Sequence, residues 1–165
     1  TPTQLALKAP GVLPELRHLT LCGELMRRET IEVWSEVLKL RNMYGVTEAT
    51  GLQTVHIMAQ GDSPRCAGRS MPGYFVGLSE EDAGTGEVLI GGRGLARGYL
   101  GLQEETALRF QSWPSAPESR TYLTGDLGRW GHEGLELLGR RDHQVKISGV
   151  RVELSEVEGA LEASG

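Results

Sequence analysis

The sequence predicts a mixed fold: part of a parallel αβ sheet layer, then a small antiparallel β-barrel-like subdomain, then the start of a small α+β domain. A strand, an amphipathic helix and a second strand follow one another in the first third of the chain, which is typical of a βαβ unit. Glycine supplies 23 of 165 residues and clusters from Gly84 to Gly149 among short apolar runs, which predicts turn-rich β structure. A capping box at Ser155-Glu156-Val157-Glu158 opens a helix near the end.

The predicted parallel layer begins with a short strand from Arg17 to Gly23. Apolar residues recur at positions 31, 34, 37 and 38, so the segment from Glu29 to Leu40 is predicted to be an amphipathic helix. Further strands are predicted from Leu40 to Tyr44 and from Thr54 to Met58. Since ligands of open parallel sheets bind at the carboxyl ends of the strands, the segments Thr20 to Glu24 and Asn42 to Glu48 are candidates for a site.

The glycine-rich half predicts antiparallel strands. The runs Gly73 to Gly77 and Gly86 to Gly91 are separated by small and polar residues. A short helix is predicted from Gln103 to Phe110. Two hairpins follow: one joins Leu127–Trp130 to Leu135–Leu138 around the turn 131–134, and one joins Gln144–Ile147 to Val150–Leu154 around Ser148-Gly149.

Composition excludes several classes of function. A net charge of −5, a pI near 5.4 and the lack of a basic stripe argue against a nucleic-acid partner. The sequence has no apolar run near 18 residues and no signal peptide, so we expect no membrane span, no export and, by default, a cytoplasmic location. Cys22 and Cys66 lie too far apart for a CxxC motif and are predicted to be buried or semi-buried thiols. The chain begins without methionine and ends as a helix opens, so we expect it to be a segment of a longer protein.

The segment from Asn42 to Glu48 follows a predicted strand and is chemically rich. Tyr44 offers a flat face and Gly45 lets the backbone approach a ligand. Thr47 supplies a hydroxyl for a phosphate and Glu48 a carboxylate for a hard cation such as magnesium. Each residue alone has an ordinary structural role, but four such side chains within five positions favour a functional site.

Asp126 is a second candidate because it follows a Thr-Gly turn. Gly125 allows a tight turn that projects the next side chain out of a strand end. An ionised carboxylate only accepts hydrogen bonds, which suits two neighbouring hydroxyls such as those of a ribose. The alternative, that Asp126 caps its own turn, remains open at this point.

Four segments together resemble the adenylate-forming enzymes, the superfamily of acyl-CoA synthetases, firefly luciferase and the adenylation domains of nonribosomal peptide synthetases. They are NMYGVTE from Asn42, GEVLIGGRGLARGYL from Gly86, YLTGDL from Tyr122 and GRRDHQVKISGVRVELSEVE from Gly139. They stand in the family's order and at similar spacing.

The details resemble peptide-synthetase adenylation domains more than acyl-CoA ligases. Leu16-Arg17 with Cys22-Gly23-Glu24 is similar to the former's LR…GGE pattern. The segments DHQVK, from Asp142, and RVEL, from Arg151, resemble its D-x-Q-V-K and R-I-E-L. Acyl-CoA ligases more often carry proline where this chain has Leu154.

The resemblance implies the roles of the first cluster. Tyr44 would stack on adenine, with Gly45 beside it in the nucleotide site. Thr47 would contact the α-phosphate, and Glu48 would hold Mg²⁺.

It also implies roles for later residues. Asp126 would bind the ribose hydroxyls, and Arg140 would approach the ribose and phosphate. Asp142 would be the hinge of a rotating C-terminal domain, and Gly149 would lie near the carrier's pantetheine arm in the thioester-forming state. The pocket for the carboxylic substrate would be lined by Thr20, Cys22, Met43, Gly51 and Leu52.

By the same resemblance, the chain divides into the end of an αβ subdomain (1–62), a β-rich subdomain (63–138), a hinge (139–142) and an incomplete C-terminal domain (143–165). The implied reaction is attack of a carboxylate on the α-phosphorus of ATP, and the resemblance to peptide synthetases implies that the carboxylate belongs to an amino acid. The resulting acyl-AMP would pass its acyl group to the pantetheine thiol of a carrier domain.

Departures from the family pattern remove no ligand: Val46 replaces a proline, and Leu123 replaces a common Arg or Lys. The family's glycine-rich phosphate loop, substrate-anchoring aspartate and catalytic lysine are not in these residues, so we expect the 165 residues alone not to adenylate at a useful rate. Two alternatives stay open: a fragment of an acyl-CoA ligase, and a non-catalytic nucleotide-binding or interaction module derived from the fold.

Overall fold

The computed structural model describes residues 1–79, 84–113, 116–142, 144–147 and 150–153, together with Val157, Ala160 and Leu161. Gly149, the turn that contains it and most of the predicted C-terminal helix lie outside these residues.

The described chain contains three α-helices and eleven strands. The helices are α1 (Pro2–Leu5), α2 (Arg28–Val37) and α3 (Gln103–Arg109), with short 3-10 turns at Pro10–Val12 and Thr47–Ala49. The strands are β1 (His18–Cys22), β2 (Lys39–Tyr44), β3 (Thr54–Ile57), β4 (Cys66–Ser70), β5 (Tyr74–Leu78), β6 (Thr85–Gly92), β7 (Phe110–Trp113), β8 (Ala116–Gly131), β9 (Gly134–Arg140), β10 (Gln144–Ile147) and β11 (Val150–Glu153).

The predicted βαβ unit is confirmed: β1 and β2 pair in parallel, with α2 connecting them. The apolar face of α2 buries Ile31 and Trp34. Helix α2 ends at Val37, three residues before the predicted end, because Leu38 is extended and the Lys39 amide donates to the Arg17 carbonyl at 2.9 Å. The first core cluster consists of Leu5, Leu21, Met26, Ile31, Trp34, Leu40 and Met58.

The remaining strands are antiparallel, as predicted, but they extend an open sheet instead of closing a barrel. The strand order is β1-β2-β3-β4-β9-β8-β6-β5, with β7 paired to β8. The sheet therefore runs without a break from the parallel pair into the glycine-rich half, and β10 and β11 form a separate antiparallel pair. The second core cluster consists of Tyr44, Ala49, Ala67, Val88, Ile90 and Leu135.

Strand β8 is long and changes partners along its length. Residues 116–122 of β8 pair with β7, residues 121–129 with β6 and residues 126–131 with β9. The pairing of Trp130 with Leu135 confirms the predicted β8–β9 hairpin. Asp126 therefore does not follow a strand end, as the Thr-Gly turn predicted; it lies within β8, opposite Arg140. Gly125 still has a left-handed backbone (φ +76°), at the register shift in the pairing of β8 with β6.

None of the helices in the described part of the chain combines the length and hydrophobicity of a membrane span.

Candidate functional site

A cavity of about 480 Å³ lies between the end of β2, Asp126 of β8, the end of β9 and the start of β10. Tyr44 and Gly45 reach it from the first part of the chain, and Asp126 and Arg140 from the second. Gln144 lines it from β10. Four of the residues predicted for the nucleotide site are thus brought together, although up to 96 positions separate Tyr44 from Arg140 in sequence.

The Asp126 carboxylate is buried and accepts hydrogen bonds from two sides. The Tyr44 hydroxyl donates to Oδ2 at 2.6 Å, and the Arg140 Nη1 donates to Oδ1 at 2.9 Å. The Asp126 amide instead donates to the Thr124 hydroxyl, at 3.0 Å. Thr124 therefore accepts from the Asp126 amide, and the Asp126 carboxylate is directed to the cavity residues rather than to its own backbone.

Tyr44 is fixed as a neutral hydrogen-bond donor. Burial, reinforced by the negative charge of Asp126, raises the pKa of Tyr44 well above its usual value. A Cβ at Gly45 would lie 2.3 Å from the Gly51 carbonyl oxygen and 2.4 Å from the Gln53 Oε1. Only glycine allows the chain at position 45 to approach these two oxygens so closely.

Arg140 joins Asp126 to Asp142. Its Nε and Nη2 each donate to an oxygen of Asp142 at 2.7 Å, so three of its five N–H groups are used by two carboxylates. The hydrogen bonds from Arg140 lower the pKa of Asp142 against the opposing effect of burial, and Arg109 adds its charge from 3.9 Å. Burial alone would lower the pKa of Arg140, but the two carboxylates raise it overall. The proposed hinge residue and the proposed ribose residue thus share one guanidinium, and we call Asp126, Arg140 and Asp142 the charged junction.

Glu87, which the sequence analysis did not identify, supports Gly125 from β6. Its Oε1 accepts from the Gly125 amide at 2.7 Å, while the Thr124 hydroxyl donates to the Val88 carbonyl at 2.8 Å. Glu87 is only 7% exposed. A carboxylate within the apolar run of Gly86 to Gly91 was the available signal, because a buried charge requires a specific partner.

The loop that carries Thr47 and Glu48 is held by Gln53, another residue that the sequence analysis did not identify. Gln53 is fully buried; its Oε1 accepts from the Val46 amide at 2.8 Å, and its Nε2 donates to the Ala49 carbonyl at 2.6 Å. One side chain thus holds both ends of the short 3-10 turn. Thr47 is exposed on that turn.

The Glu48 carboxylate is buried against two phenols. Tyr99 and Tyr122 both donate to its Oε1, at 2.8 and 3.0 Å, and their hydroxyl oxygens lie 3.0 Å apart. Burial and the hydrogen bond with Tyr99 raise the pKa of Tyr122. The Ala96 amide also donates to the Glu48 carbonyl at 2.7 Å. Neutral groups from two distant segments thus fix the position of this acid.

Among the described residues, no group of three or more His, Cys, Asp or Glu side chains could hold a metal ion. Glu48 alone is compatible with Mg²⁺ only in the common arrangement in which one or two carboxylates act together with substrate phosphates. Thr47 and Glu48 do not line the cavity beside Tyr44.

The predicted substrate-pocket residues are partly brought together. Cys22 and Met43 are paired positions on β1 and β2, and Met43 also lines the cavity. Thr20 lies two positions before Cys22 on β1 and is exposed. Gly51 and Leu52 follow the turn of Glu48 and do not line the cavity. Cys66 is buried and Cys22 half-buried, as predicted.

Comparison with known proteins gives one family. Residues 3–100 match the model of the AMP-binding enzymes. Among curated proteins, phosphinothricin tripeptide synthetase PhsC of Streptomyces viridochromogenes is 42% identical over 171 residues, which cover 98% of this chain and 16% of that protein.

Solved structures agree with this result. The adenylation domain AlmE of Vibrio cholerae, determined in complex with glycyl-adenosine-5′-phosphate, has a TM-score of 0.80 at 32% identity and covers 96% of this chain. Holo-PA1221, a peptide-synthetase protein with adenylation and carrier (PCP) domains, has a TM-score of 0.85 at 28% identity and covers 97%. This chain spans 34% and 30% of those two chains.

Proposed function

Because this chain belongs to the AMP-binding enzyme family, we propose that it forms part of an ATP-dependent adenylation enzyme of the nonribosomal peptide synthetase type. The enzyme activates a carboxylic acid, in our proposal an amino acid, as acyl-AMP with release of pyrophosphate. It then transfers the acyl group to the pantetheine thiol of a carrier domain, and AMP leaves. We propose a cytoplasmic location for it.

The observation that carries this proposal is the convergence of Tyr44, Asp126 and Arg140 on one cavity. Asp126 presents a carboxylate whose oxygens already receive a phenol and a guanidinium, and each oxygen has a second acceptor site for a ribose hydroxyl. Tyr44 provides an aromatic ring at the same wall for adenine. Arg140 supplies positive charge for the ribose and phosphate.

The proposed chemistry needs positioning and charge stabilisation more than a reactive side chain. Thr47 would contact the α-phosphate, and Glu48 is the residue that would hold Mg²⁺, which neutralises phosphate charge when it is bound. Residue Asp142 is the proposed hinge, and Gly149 is proposed to lie near the pantetheine arm. Cys22 and Met43 would line the substrate pocket, together with Thr20, Gly51 and Leu52.

We propose the division of the chain into 1–62, 63–138, a hinge at 139–142 and 143–165 on the same basis. The change from the long sheet to the separate β10–β11 pair after Arg140 supports a boundary there.

The test is ATP–pyrophosphate exchange by the full-length protein across a panel of amino acids, with Asp126→Ala as the inactive control. We expect exchange with one or a few amino acids, and loss of at least about tenfold in the variant because the ribose loses its acceptor. Exchange that is absent with every acid, while AMP still binds, would favour the non-catalytic module instead.

The acyl-CoA ligase alternative is separated by the thiol that accepts the acyl group. We expect loading of a pantetheine-bearing carrier domain and little product with free coenzyme A. The 165 residues alone are expected to show no exchange above background.

A further inference from the structure

Gln144 is the cavity residue to which neither motif nor family resemblance gives a role. It is the first residue of β10 and is only 6% exposed. Its Oε1 is buried and receives no hydrogen bond from any described residue. Because a buried acceptor without a donor is unfavourable, such an atom at a cavity wall requires an explanation.

Several donors that line the same cavity are used elsewhere. The Asn42 Nδ2 donates to the Cys66 carbonyl at 2.7 Å, and the Tyr44 hydroxyl donates to Asp126. The Arg65 Nη1 donates to two carbonyls of β9, and Arg140 donates to its two carboxylates. These four side chains thus direct the named donors to other protein groups, and none of these donors reaches the Gln144 Oε1.

Gln144 is also tied to the charged junction through its backbone. Its amide donates to the Asp142 Oδ1 at 3.2 Å, and Asp142 is held by Arg140, which contacts Asp126. The Gln144 side chain is therefore positioned relative to the proposed ribose-binding carboxylate by three consecutive hydrogen bonds. Gln144 itself lines the cavity in which a nucleoside would lie.

We propose that Gln144 is a binding residue for the nucleoside of ATP and AMP, with its Oε1 accepting a hydrogen bond from a ribose hydroxyl or from the amino group of adenine. This proposal rests on the proposed function. Gln144 is the first residue of β10, which follows the charged junction. Its contact with the nucleoside would therefore make nucleotide binding depend on the position of β10. Asp126 and Gln144 then bind the same ligand from β8 and from β10.

The experiment measures AMP binding by calorimetry to the full-length protein and to Gln144→Met, which keeps the side-chain length and removes the acceptor. We expect about three- to tenfold weaker binding, the effect of one neutral hydrogen bond. Gln111→Met is the matched control, because Gln111 is exposed on β7 and its Nε2 donates to the Leu108 carbonyl, away from the cavity. It should bind AMP within about twofold of the wild type.

Three analogues identify the donor: 2′-deoxy-AMP, 3′-deoxy-AMP and purine riboside monophosphate, which lacks the amino group. We expect one of them to bind equally to the wild type and to Gln144→Met, because the partner group is already absent. If Gln144→Met does not fold, Gln144→Asn retracts the amide by one methylene and should show the same pattern.

Two results would overturn the proposal. The first is that Gln144→Met binds AMP within twofold of the wild type. The second is that Gln144→Met binds each of the three analogues more weakly than the wild type does, by the same factor as for AMP. A variant that binds AMP normally but fails to load the carrier also contradicts it. If the wild type itself does not bind AMP, the proposed function fails, and not this inference alone.

Discussion

Two parts of the molecule place an acidic side chain, and they do so by different means. The Glu48 turn is held by neutral groups: the Gln53 amide at its two ends and the phenols of Tyr99 and Tyr122 at its carboxylate. The junction of Asp126 is held by charge, through the Arg140 guanidinium. Gln53 is fully buried, whereas the Asp142 side chain at the outer end of the junction is 29% exposed.

The difference indicates which part is fixed and which part can exchange partners. A buried neutral group that loses its hydrogen bond finds no other partner, and this is costly. We therefore expect the Glu48 turn to keep one arrangement. At the outer end of the junction, the Asp142 carboxylate reaches solvent, where a charged group keeps part of its hydration and is screened by salt. We therefore expect the junction to accept a ligand or a rearrangement at lower cost than the turn.

The largest expected effect is from Gln53→Ala, which leaves the Val46 amide and the Ala49 carbonyl without their partner. At about 1–3 kcal/mol for each buried unsatisfied group, we expect a loss of about 4 kcal/mol of unfolding free energy by urea denaturation. Gln60→Ala, at an exposed glutamine, should change it by less than about 0.5 kcal/mol. Equal small losses in both variants would contradict the rigid role given to the turn.

The next effect is from Gly125→Ala in β8. Its Cβ would lie 2.6 Å from the Asp142 Oδ2 and 2.7 Å from the Arg140 Nη2, on a backbone with φ +76°. Gly101→Ala is the matched control, because Gly101 has φ +75° and nothing within 4 Å. We expect about 1 kcal/mol for the control from the positive φ, and about 3 kcal/mol for Gly125→Ala because it also displaces the ion pair. Similar losses of unfolding free energy in the two variants would show that displacing the Arg140–Asp142 ion pair does not destabilise the fold.

A smaller effect is expected from Arg140→Lys, which keeps the charge and loses the fork that Asp142 accepts. We expect a loss of about 1–2 kcal/mol by urea denaturation, and a stability that falls less with added salt than that of the wild type. Arg17→Lys serves as the control, since Arg17 meets Glu15 at 3.6 Å in an exposed pair and should change by less than about 0.5 kcal/mol. If the two lysine variants behave alike, the junction is not held by the guanidinium.

The smallest expected effect is a pH dependence. Arg140 lowers the pKa of Asp142 below its ordinary 3.8, so folding favours the ionised form. The stabilisation is complete above the unfolded pKa and is lost as the pH falls from 3.8 through the lower folded value. The stability difference between wild type and Asp142→Asn, about 1 kcal/mol or less at neutral pH, should therefore shrink over this range in thermal unfolding. A difference independent of pH would show that the carboxylate charge is not what stabilises the junction.

Local pattern determined much of this protein from the sequence by itself. The spacing of Ile31 and Trp34 predicted α2, because a 3.6-residue period specifies a buried helical face. Glycine at 131 and 134 predicted the β8–β9 turn. The motifs around Tyr44, Asp126 and Arg140 predicted that these residues share a site, and the cavity brings them together.

Only the tertiary structure decided what holds those residues. The contacts of Glu48 with Tyr99 and Tyr122 span 51 and 74 positions, and that of Glu87 with Gly125 spans 38. Asp126 was expected at a strand end and lies within β8, because β9 pairs beyond Gly125 and extends the strand. A hydrogen bond between distant segments depends on which strands become neighbours in the sheet, and no local periodicity encodes that order.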